Sequence, residues 1–227
     1  MIREYKKHSF PPFAELPVKP DMELISDFMY ENYHRWEDNI TAHKGLAVAS
    51  NNIANETYKC VEHFHLTVPN TDIDEADLKA SDYSTKNKLR FDVAHTMNEH
   101  NWNHPTAFYD STPLEKHLNG LFESKIIRAR YSRMKPGGVV PPHIDYNTTY
   151  AVRWILPING NEGVDNKFWY KGEEHTLNME NGKMYFLNIG YRHAVYHNGP
   201  NLRHYLMGSL ASQEDILHLR RERLVKV

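Results

Sequence analysis

The 227-residue sequence lacks several features that would define a protein class at once. It has one cysteine, so it can form no internal disulfide, and this favours a reducing compartment. It contains no apolar run of about 18 residues, the length of a membrane-spanning helix. The first ten residues hold no apolar segment typical of a secretion signal. These absences predict a cytoplasmic protein with no membrane partner.

A strong charge of either sign is also missing. The formal net charge is −2 with neutral histidines, so no global basic field would attract nucleic acid, and we expect no nucleic-acid partner. Hydrophobic residues make up 40% and charged residues 25%, which is ordinary for a folded globular chain. The unusual number is 15 histidines, which favours a metal site somewhere in the fold.

The length suits a single domain over residues 1–227. Residues 1–124 are predicted to be an N-terminal elaboration of helices and extended chain. Residues 125–210 are predicted to be a β core that carries the functional site, followed by a C-terminal tail at 211–227 that we expect to be helical. In the core, short segments rich in β-branched and aromatic residues alternate with Gly, Asn and Pro clusters. This spacing predicts antiparallel strands that close into a sandwich or barrel.

Two helix starts are the clearest local signals in the N-terminal part. Asp21 precedes apolar residues at helical spacing, and Thr112 is followed by a proline and, three residues on, by Glu115. The second pattern is a capping box with proline in the first turn. An alternating run over residues 58–68 predicts a strand. Residues 69–110 carry few signals, and we expect mostly loop there.

The segment with the clearest chemistry is PGGVVPPHID at 136–145. Its glycines permit a tight turn and its prolines favour extended chain, after which His143 and Asp145 follow two residues apart. In a strand such residues face the same side, so a nitrogen and a carboxylate oxygen would share one space. Two histidines and one carboxylate form the facial triad that suits non-haem Fe(II). The second histidine could be His193 or His197, although a His-x-Asp pair alone is more often structural.

Arg203 strengthens the hypothesis of a functional site. It lies ten residues after His193, beyond the turn Asn198-Gly199-Pro200. We expect a hairpin with a five-residue loop, in which His197 pairs with Arg203 and both face the same side as His193. An arginine inside a barrel is a bidentate site for a carboxylate. A metal and a carboxylate anchor together would suit a small dicarboxylate cosubstrate.

Three blocks in order, RARYSRMKPGGVVPPHID, YAVRWILPI and HAVYHNGPNLRHYLMGSL, resemble the Fe(II)/2-oxoglutarate-dependent oxygenases. Within them the sequence is most similar to the aspartyl/asparaginyl β-hydroxylase-like group, which includes bacterial proline hydroxylases. The resemblance covers about residues 126 to 210. It implies a mainly β fold with flanking helices, a double-stranded β-helix of the jelly-roll, cupin-like kind.

The resemblance also implies roles for individual residues. Iron would be held by His143, Asp145 and His193, which would be the catalytic residues, and Arg203 would bind the distal carboxylate of 2-oxoglutarate. His193 is the expected ligand rather than His197, because the ligand histidine of the family directly precedes a small residue and a valine. The cofactors implied are Fe(II) and 2-oxoglutarate.

The sequence departs from the family in one place. The family often has Arg-x-His in the second block, and here Arg153 is retained while Ile155 stands in place of the histidine. Arg153 is expected to hold the metal-proximal carboxylate of the cosubstrate or a carboxylate of the substrate. Arg128, Arg130 and His197 are expected to line the substrate pocket. For Arg128 and Arg130, the alternative is an ion pair at the protein surface.

The expected function is an Fe(II)/2-oxoglutarate-dependent dioxygenase that hydroxylates a C–H bond of an amino acid, with a small molecule and dioxygen as partners. Arginines beside Arg203 favour a substrate with a carboxylate, and therefore a free amino acid. Two alternatives stay open. One is a peptidyl or protein aspartyl/asparaginyl-type hydroxylase, and the other is a non-catalytic, metal-binding cupin-like module.

Overall fold

The computed structural model describes residues 10–38, 60–69 and 98–223. In the N-terminal part the elements are β1 (Phe13–Glu15), α1 (Met22–Glu31), β2 (Glu37–Asp38), β3 (Val61–His65), β4 (Thr67–Val68), β5 (His104–Pro105) and α2 (Pro113–Gly120). The strands that follow are β6 (Ile126–Met134), β7 (Val139–His143), β8 (Val152–Asn159), β9 (Val164–Tyr170), β10 (Glu173–Leu177), β11 (Tyr185–Leu187), β12 (Arg192–His197) and β13 (Arg203–Leu210). Short 3₁₀ helices cover Tyr33–Arg35, Glu99–Asn101 and Glu214–Arg223.

Two antiparallel sheets form the core of the described residues. The large sheet has seven strands in the order β1-β11-β8-β13-β6-β3-β2, and the small sheet has four in the order β10-β9-β12-β7. Side chains from both sheets form one inner cluster, including Ile155, Phe168, Leu187 and Tyr205. From β6 to β13 the chain passes back and forth between the two sheets, with β9 and β10 adjacent in the small sheet. This is the jelly roll predicted from the sequence, and that prediction is confirmed.

The two helices cover the outer face of the large sheet. The Asp21 side chain accepts a hydrogen bond from the Leu24 backbone at 3.1 Å, and the Thr112 hydroxyl accepts one from the Glu115 backbone at 3.2 Å. Both predicted helix starts are therefore confirmed. The buried faces of α1 and α2 pack with outward residues of the sheet such as Trp154.

The N-terminal part contributes to the large sheet more than the sequence predicted. Strand β3 pairs with β6, with Phe64 opposite Tyr131, and β1 pairs with β11. The strand expected over 58–68 is confirmed, but three of the seven strands precede residue 125. The β core predicted over 125–210 was therefore too narrow, because the edges of its large sheet are covered by strands from elsewhere in the chain.

Other expectations have different outcomes. The tail forms a 3₁₀ helix at Glu214–Arg223, which agrees with the helix expected there. Most of the segment 69–110 lies outside the described residues, and the division into one domain stays a prediction. None of the helices in the described ranges has the length and apolar character needed to span a membrane.

The hairpin predicted between His193 and Arg203 is wrong. Strand β12 pairs with β7 and β9 in the small sheet, whereas β13 pairs with β6 and β8 in the large sheet. Residues 198–202 therefore cross from one sheet to the other. Stacked sheets lie about 10 Å apart, a gap that five extended residues span easily. Arg203 still faces the space between the sheets, because it alternates in phase with Tyr205 of the inner cluster.

Candidate metal centre and active site

Three predicted ligand residues meet at one end of the small sheet. His143 ends β7 and is the register partner of His193 in the neighbouring strand β12. Asp145 lies two residues beyond β7, where its backbone N–H donates to the Ile189 carbonyl at 3.0 Å. The two imidazole rings lie 4.2 Å apart. Each of the three residues offers one ligand atom, and these atoms all lie within 4.8 Å of one another.

Main-chain hydrogen bonds orient both imidazoles. Nδ1 of His143 donates to the Pro141 carbonyl at 2.8 Å, and Nδ1 of His193 donates to the Tyr191 carbonyl at 3.0 Å. Because a carbonyl only accepts, each Nδ1 carries a hydrogen, and in the neutral imidazole each Nε2 therefore keeps a lone pair. The Nε2 atoms of His143 and His193 lie 3.6 and 3.9 Å from Oδ2 of Asp145. Metal-binding histidines are held in this way, with the second ring nitrogen fixed by another group.

The charge states of the triad also fit a bound cation. Burial lowers the pKa of His193 to about 4, and the nearby His143 adds to the effect, so its Nε2 is unprotonated at neutral pH. Burial alone would raise the pKa of Asp145, but the hydrogen bond and charge of His143 outweigh it and lower this pKa. Burial opposes protonation of His143, yet its bond to Asp145 raises its pKa. A divalent cation would take the place of the proton in the hydrogen bond between His143 and Asp145.

Two imidazole nitrogens and one carboxylate oxygen suit Fe(II) with open coordination positions. The side chain of Asp145 is 42% exposed, whereas that of His193 is only 9% exposed, so the centre is open on the aspartate side. The residues present therefore fit the metal that the sequence predicts, and they leave room for ligands to reach it.

Arg203 lies deep between the sheets and has no counter-ion within residues 10–38, 60–69 and 98–223. It is 1% exposed, and its Nε and Nη2 are buried without a hydrogen-bond partner. Its guanidinium carbon lies 4.4 Å from the ring centre of Tyr205. Burial lowers its pKa to about 10, so it stays charged at neutral pH. A buried cation without a partner costs free energy, which an anionic ligand would offset.

His197 supports the connection that leads to Arg203. Its Nε2 donates to the Asn201 carbonyl at 2.6 Å, and its backbone exchanges hydrogen bonds with Gly137 and Gly138. Burial lowers its pKa. Its Nδ1 is buried without a hydrogen-bond partner. The imidazole therefore caps the crossing between the sheets, and its expected role in the substrate pocket stays a prediction.

Glu99 is a site residue that sequence reasoning missed. Its side chain is 3% exposed, and its Oε1 accepts from Nη1 of Arg128 and Nη2 of Arg153, both at 2.7 Å. Its Oε2 accepts from the Ser209 hydroxyl at 2.6 Å and from the Tyr146 hydroxyl. Burial would raise the pKa of Glu99, but the charges of Arg153 and Arg128 hold it well below its ordinary value. Several arginines predicted inside one barrel were a signal that a buried carboxylate was needed.

Arg128 reaches Glu99 through an irregular piece of backbone. Its φ of 50° lies in the left-handed region that non-glycine residues rarely adopt. The pairing of β6 with β13 shifts register between Met207 and Ser209, and the Arg128 N–H donates to the Trp102 carbonyl at 2.7 Å. This bulge turns Arg128 away from the regular ladder and towards the Glu99 segment.

Arg130 has no carboxylate partner among the described residues. It is 7% exposed, its Nη1 donates to the Arg128 carbonyl at 3.3 Å, and its Nε is buried without a hydrogen-bond partner. Burial, together with the charges of Arg128 and Arg153, lowers its pKa to about 9. The surface ion pair considered for Arg128 and Arg130 is therefore wrong, since Arg128 pairs with the buried Glu99 and Arg130 faces the inner space.

The fold and the triad together define a class: a double-stranded β-helix with a two-histidine, one-carboxylate centre. Residues 112–212 match the family described as aspartyl/asparaginyl beta-hydroxylase. The match confirms the resemblance stated from the sequence and, with it, an enzyme of the hydroxylase class for this part of the chain. It includes the triad and Arg203, whereas Glu99 lies before it.

Solved structures with similar folds are distant in sequence. A prolyl-4-hydroxylase from Pseudomonas putida is 14% identical, with 88% of this chain and 92% of that chain covered and a TM-score of 0.45. An oxidoreductase of the 2OG-Fe(II) oxygenase family from Burkholderia pseudomallei is 13% identical, with 66% of each chain covered and a TM-score of 0.39. An oxalate oxidase is 18% identical, with 40% of this chain and 43% of that chain covered and a TM-score of 0.31. No curated protein matches the sequence.

Proposed function

We propose that this protein is an Fe(II)- and 2-oxoglutarate-dependent dioxygenase that hydroxylates a C–H bond of an amino acid, with the free amino acid favoured. His143, Asp145 and His193 hold the iron. One observation carries the proposal: a triad with two oriented Nε2 lone pairs shares the inside of a jelly roll with Arg203, a buried arginine to which the described part of the chain gives no counter-ion. A metal-binding module without cosubstrate has no use for that arginine.

Arg203 is assigned to the distal carboxylate of 2-oxoglutarate. Its free Nε and Nη2 are adjacent nitrogens of the planar guanidinium, which can donate two parallel hydrogen bonds to a carboxylate. When bound, Fe(II) and 2-oxoglutarate supply the oxidising chemistry, in which dioxygen is consumed and 2-oxoglutarate becomes succinate and CO2. The apolar inner residues Ile155, Phe168 and Leu187 limit the access of water to this space.

The substrate carboxylate is assigned to Arg130. The sequence suggested three arginines for this role, but Glu99 occupies Arg128 and one nitrogen of Arg153. Among the residues that the structure describes, no carboxylate pairs with the charged Arg130, and no acceptor binds Nη1 of Arg153, which could hold the metal-proximal carboxylate of 2-oxoglutarate. A buried arginine favours a free α-carboxylate, which an internal peptide residue lacks unless it is Asp or Glu.

The assignment is tested first with Fe(II) and 2-oxoglutarate under anaerobic conditions. We expect a visible charge-transfer band that requires both components, because only simultaneous binding at one centre produces it. Candidate amino acids are then screened by succinate formation in air. For any amino acid that is turned over, its amide and a peptide containing it should react more slowly. Equal turnover of the amide would contradict the carboxylate contact and favour the protein hydroxylase.

A further inference from the structure

The 3₁₀ helix Glu99–Asn101 is fastened to the loop between β7 and β8. The backbone N–H of Glu99 donates to the Tyr150 hydroxyl at 2.9 Å, and this hydroxyl donates to the Asn98 side chain at 2.7 Å. Nε2 of His100 donates to the Tyr150 carbonyl at 2.6 Å. Asp145 is the second residue of this loop, so the Glu99 segment is held against the chain that leaves the candidate metal centre.

The Glu99 carboxylate has no capacity left for a ligand. It accepts from two guanidinium groups on one oxygen and from two hydroxyls on the other. A carboxylate has about four acceptor positions, and all of them are used here. Glu99 therefore acts on the pocket through the residues it holds, Arg128 and Arg153, and not by contact with substrate.

Arg153 is held along one edge only. Its Nη2 donates to Glu99 at 2.7 Å and to the Tyr146 hydroxyl at 2.6 Å, whereas its Nη1 is buried without a hydrogen-bond partner. Tyr146 directly follows the candidate ligand Asp145 in the chain, so this contact places the guanidinium beside the segment that carries Asp145. One nitrogen is fixed by the protein, and the other is available to an anion beside the metal.

We propose that Glu99 is the positioning residue of Arg153: it fixes Nη2 so that Nη1 is presented to a carboxylate bound at the metal centre. The identity of that carboxylate as 2-oxoglutarate rests on the proposed function. The same contact compensates the charge of Arg128, which leaves Arg130 as the arginine of this cluster that is available to a second carboxylate.

Glu99 could act by positioning Arg153 or by its negative charge alone. The two roles predict opposite changes in the affinity for 2-oxoglutarate when Glu99 is substituted. Removing the negative charge of Glu99 raises the positive potential near the metal, which by itself would tighten the binding of dianionic 2-oxoglutarate. Releasing Arg153 from its fixed orientation removes a charge-assisted hydrogen bond and weakens binding. Positioning therefore predicts weaker binding in spite of the favourable change in charge.

The experiment measures 2-oxoglutarate affinity by calorimetry on anaerobic, Fe(II)-loaded protein. Glu99→Ala should weaken binding about tenfold or more, as expected for the loss of a hydrogen bond to a charged group. The same substitution in an Arg153→Met background should have little further effect, because the residue it positions is already gone. The control is Glu62→Gln, which removes a carboxylate that pairs with Arg133 at 2.6 Å on the same sheet, and it should leave the affinity unchanged.

Small carboxylates provide a second readout. Formate should occupy the space vacated in Glu99→Ala, raise its Tm more than chloride does at equal ionic strength, and restore part of the 2-oxoglutarate affinity. It should raise the Tm of the Glu99→Ala/Arg153→Met protein less, because only Arg128 is left to bind it there. Glu99→Gln keeps the side-chain volume and also has to weaken binding; if Glu99→Ala does not fold, this variant decides the question.

Unchanged or tighter 2-oxoglutarate binding in the Glu99 variants would overturn the proposal, as would an equal loss with and without Arg153. The two proposals can fail separately. If the wild-type protein does not bind 2-oxoglutarate, the proposed function fails, and the formate-dependent Tm still decides whether a carboxylate holds Arg153. If 2-oxoglutarate binds normally to every Glu99 variant, only the positioning role is lost.

Discussion

Two groups of side chains are positioned by opposite means. One is the candidate metal centre, and the other is the arginine cluster, which consists of Arg128, Arg130 and Arg153 around Glu99. At the metal centre, His143 and His193 are each oriented by a carbonyl two residues earlier in the chain. In the arginine cluster, Glu99 binds partners that are 29, 54 and 110 residues away. The first arrangement is encoded in short segments of sequence, and the second exists only once the whole fold has formed.

The difference has consequences for substitutions. The triad is partly exposed and held by main chain, so changing a ligand should affect chemistry far more than folding. The arginine cluster is buried, and Glu99 pairs with both Arg128 and Arg153, so removing Glu99 leaves both guanidinium groups without a counter-charge. Four predictions test this contrast, from the largest expected effect to the smallest.

The largest effect is expected at the triad. Alanine in place of His143, Asp145 or His193 should reduce succinate formation to background, since each removes a proposed metal ligand, while the circular dichroism spectrum stays that of the wild-type protein. His197→Ala is the comparison, because His197 caps the crossing between the sheets and is not assigned to the metal. Full turnover in His193→Ala together with its loss in His197→Ala would show that the ligand was assigned to the wrong histidine.

At Glu99 the main effect should be on stability. Glu99→Leu leaves Arg128 and Arg153 without their counter-charge, and breaking a buried ion pair costs about 3–5 kcal/mol of unfolding free energy. Glu62→Leu is the matched control, because its pair with Arg133 is partly exposed, and we expect a loss of less than about 1 kcal/mol. Urea unfolding measures both values. Equal losses of unfolding free energy would mean that the deeper burial of Glu99 does not make its ion pairs more important for stability than the pair of Glu62 with Arg133.

Arg203 should behave differently from Glu99, because none of the residues that the structure describes is an ionic partner that its loss would leave unpaired. Arg203→Lys keeps the charge but loses the planar fork, so 2-oxoglutarate should bind about tenfold more weakly. The unfolding free energy without ligand should hardly change. Calorimetry and urea unfolding on the same preparation measure both quantities. Wild-type affinity in the lysine variant would remove Arg203 from the cosubstrate site.

The smallest effect concerns acid stability. The folded-state pKa of Glu99 is depressed below its ordinary value of 4.5, chiefly because the charges of Arg153 and Arg128 outweigh burial. Its contribution is therefore fully present above the unfolded pKa and is lost as the pH falls towards the folded one. The stability difference between wild type and Glu99→Gln should be constant from pH 7 to pH 5 and shrink below about pH 4. A difference that does not depend on pH would show that Glu99 is not charged in the fold.

The same contrast explains how much could be predicted from the sequence. The helix starts at Asp21 and Thr112 and the His-x-Asp pair depend on neighbours within a few residues, and the structure has them as predicted. The jelly roll followed from strand spacing and from the resemblance. Sequence reasoning did not find Glu99, whose partners are far away in the chain. Sequence reasoning also predicted a hairpin between β12 and β13, because a short turn between two strands is typical of a hairpin. The sequence alone does not show that these two strands belong to different sheets.

The crossing at residues 198–202 affects which cosubstrate can be accepted. It places His193 on one sheet and Arg203 on the other, so the span from metal to carboxylate anchor is set by how the sheets stack and not by a local turn. If Arg203 binds the cosubstrate as proposed, side chains that separate the layers, such as Phe168 and Tyr205, set the chain length of the dicarboxylate that fits. In the proposed assignment, discrimination between 2-oxo diacids that differ by one methylene group is a property of the hydrophobic core.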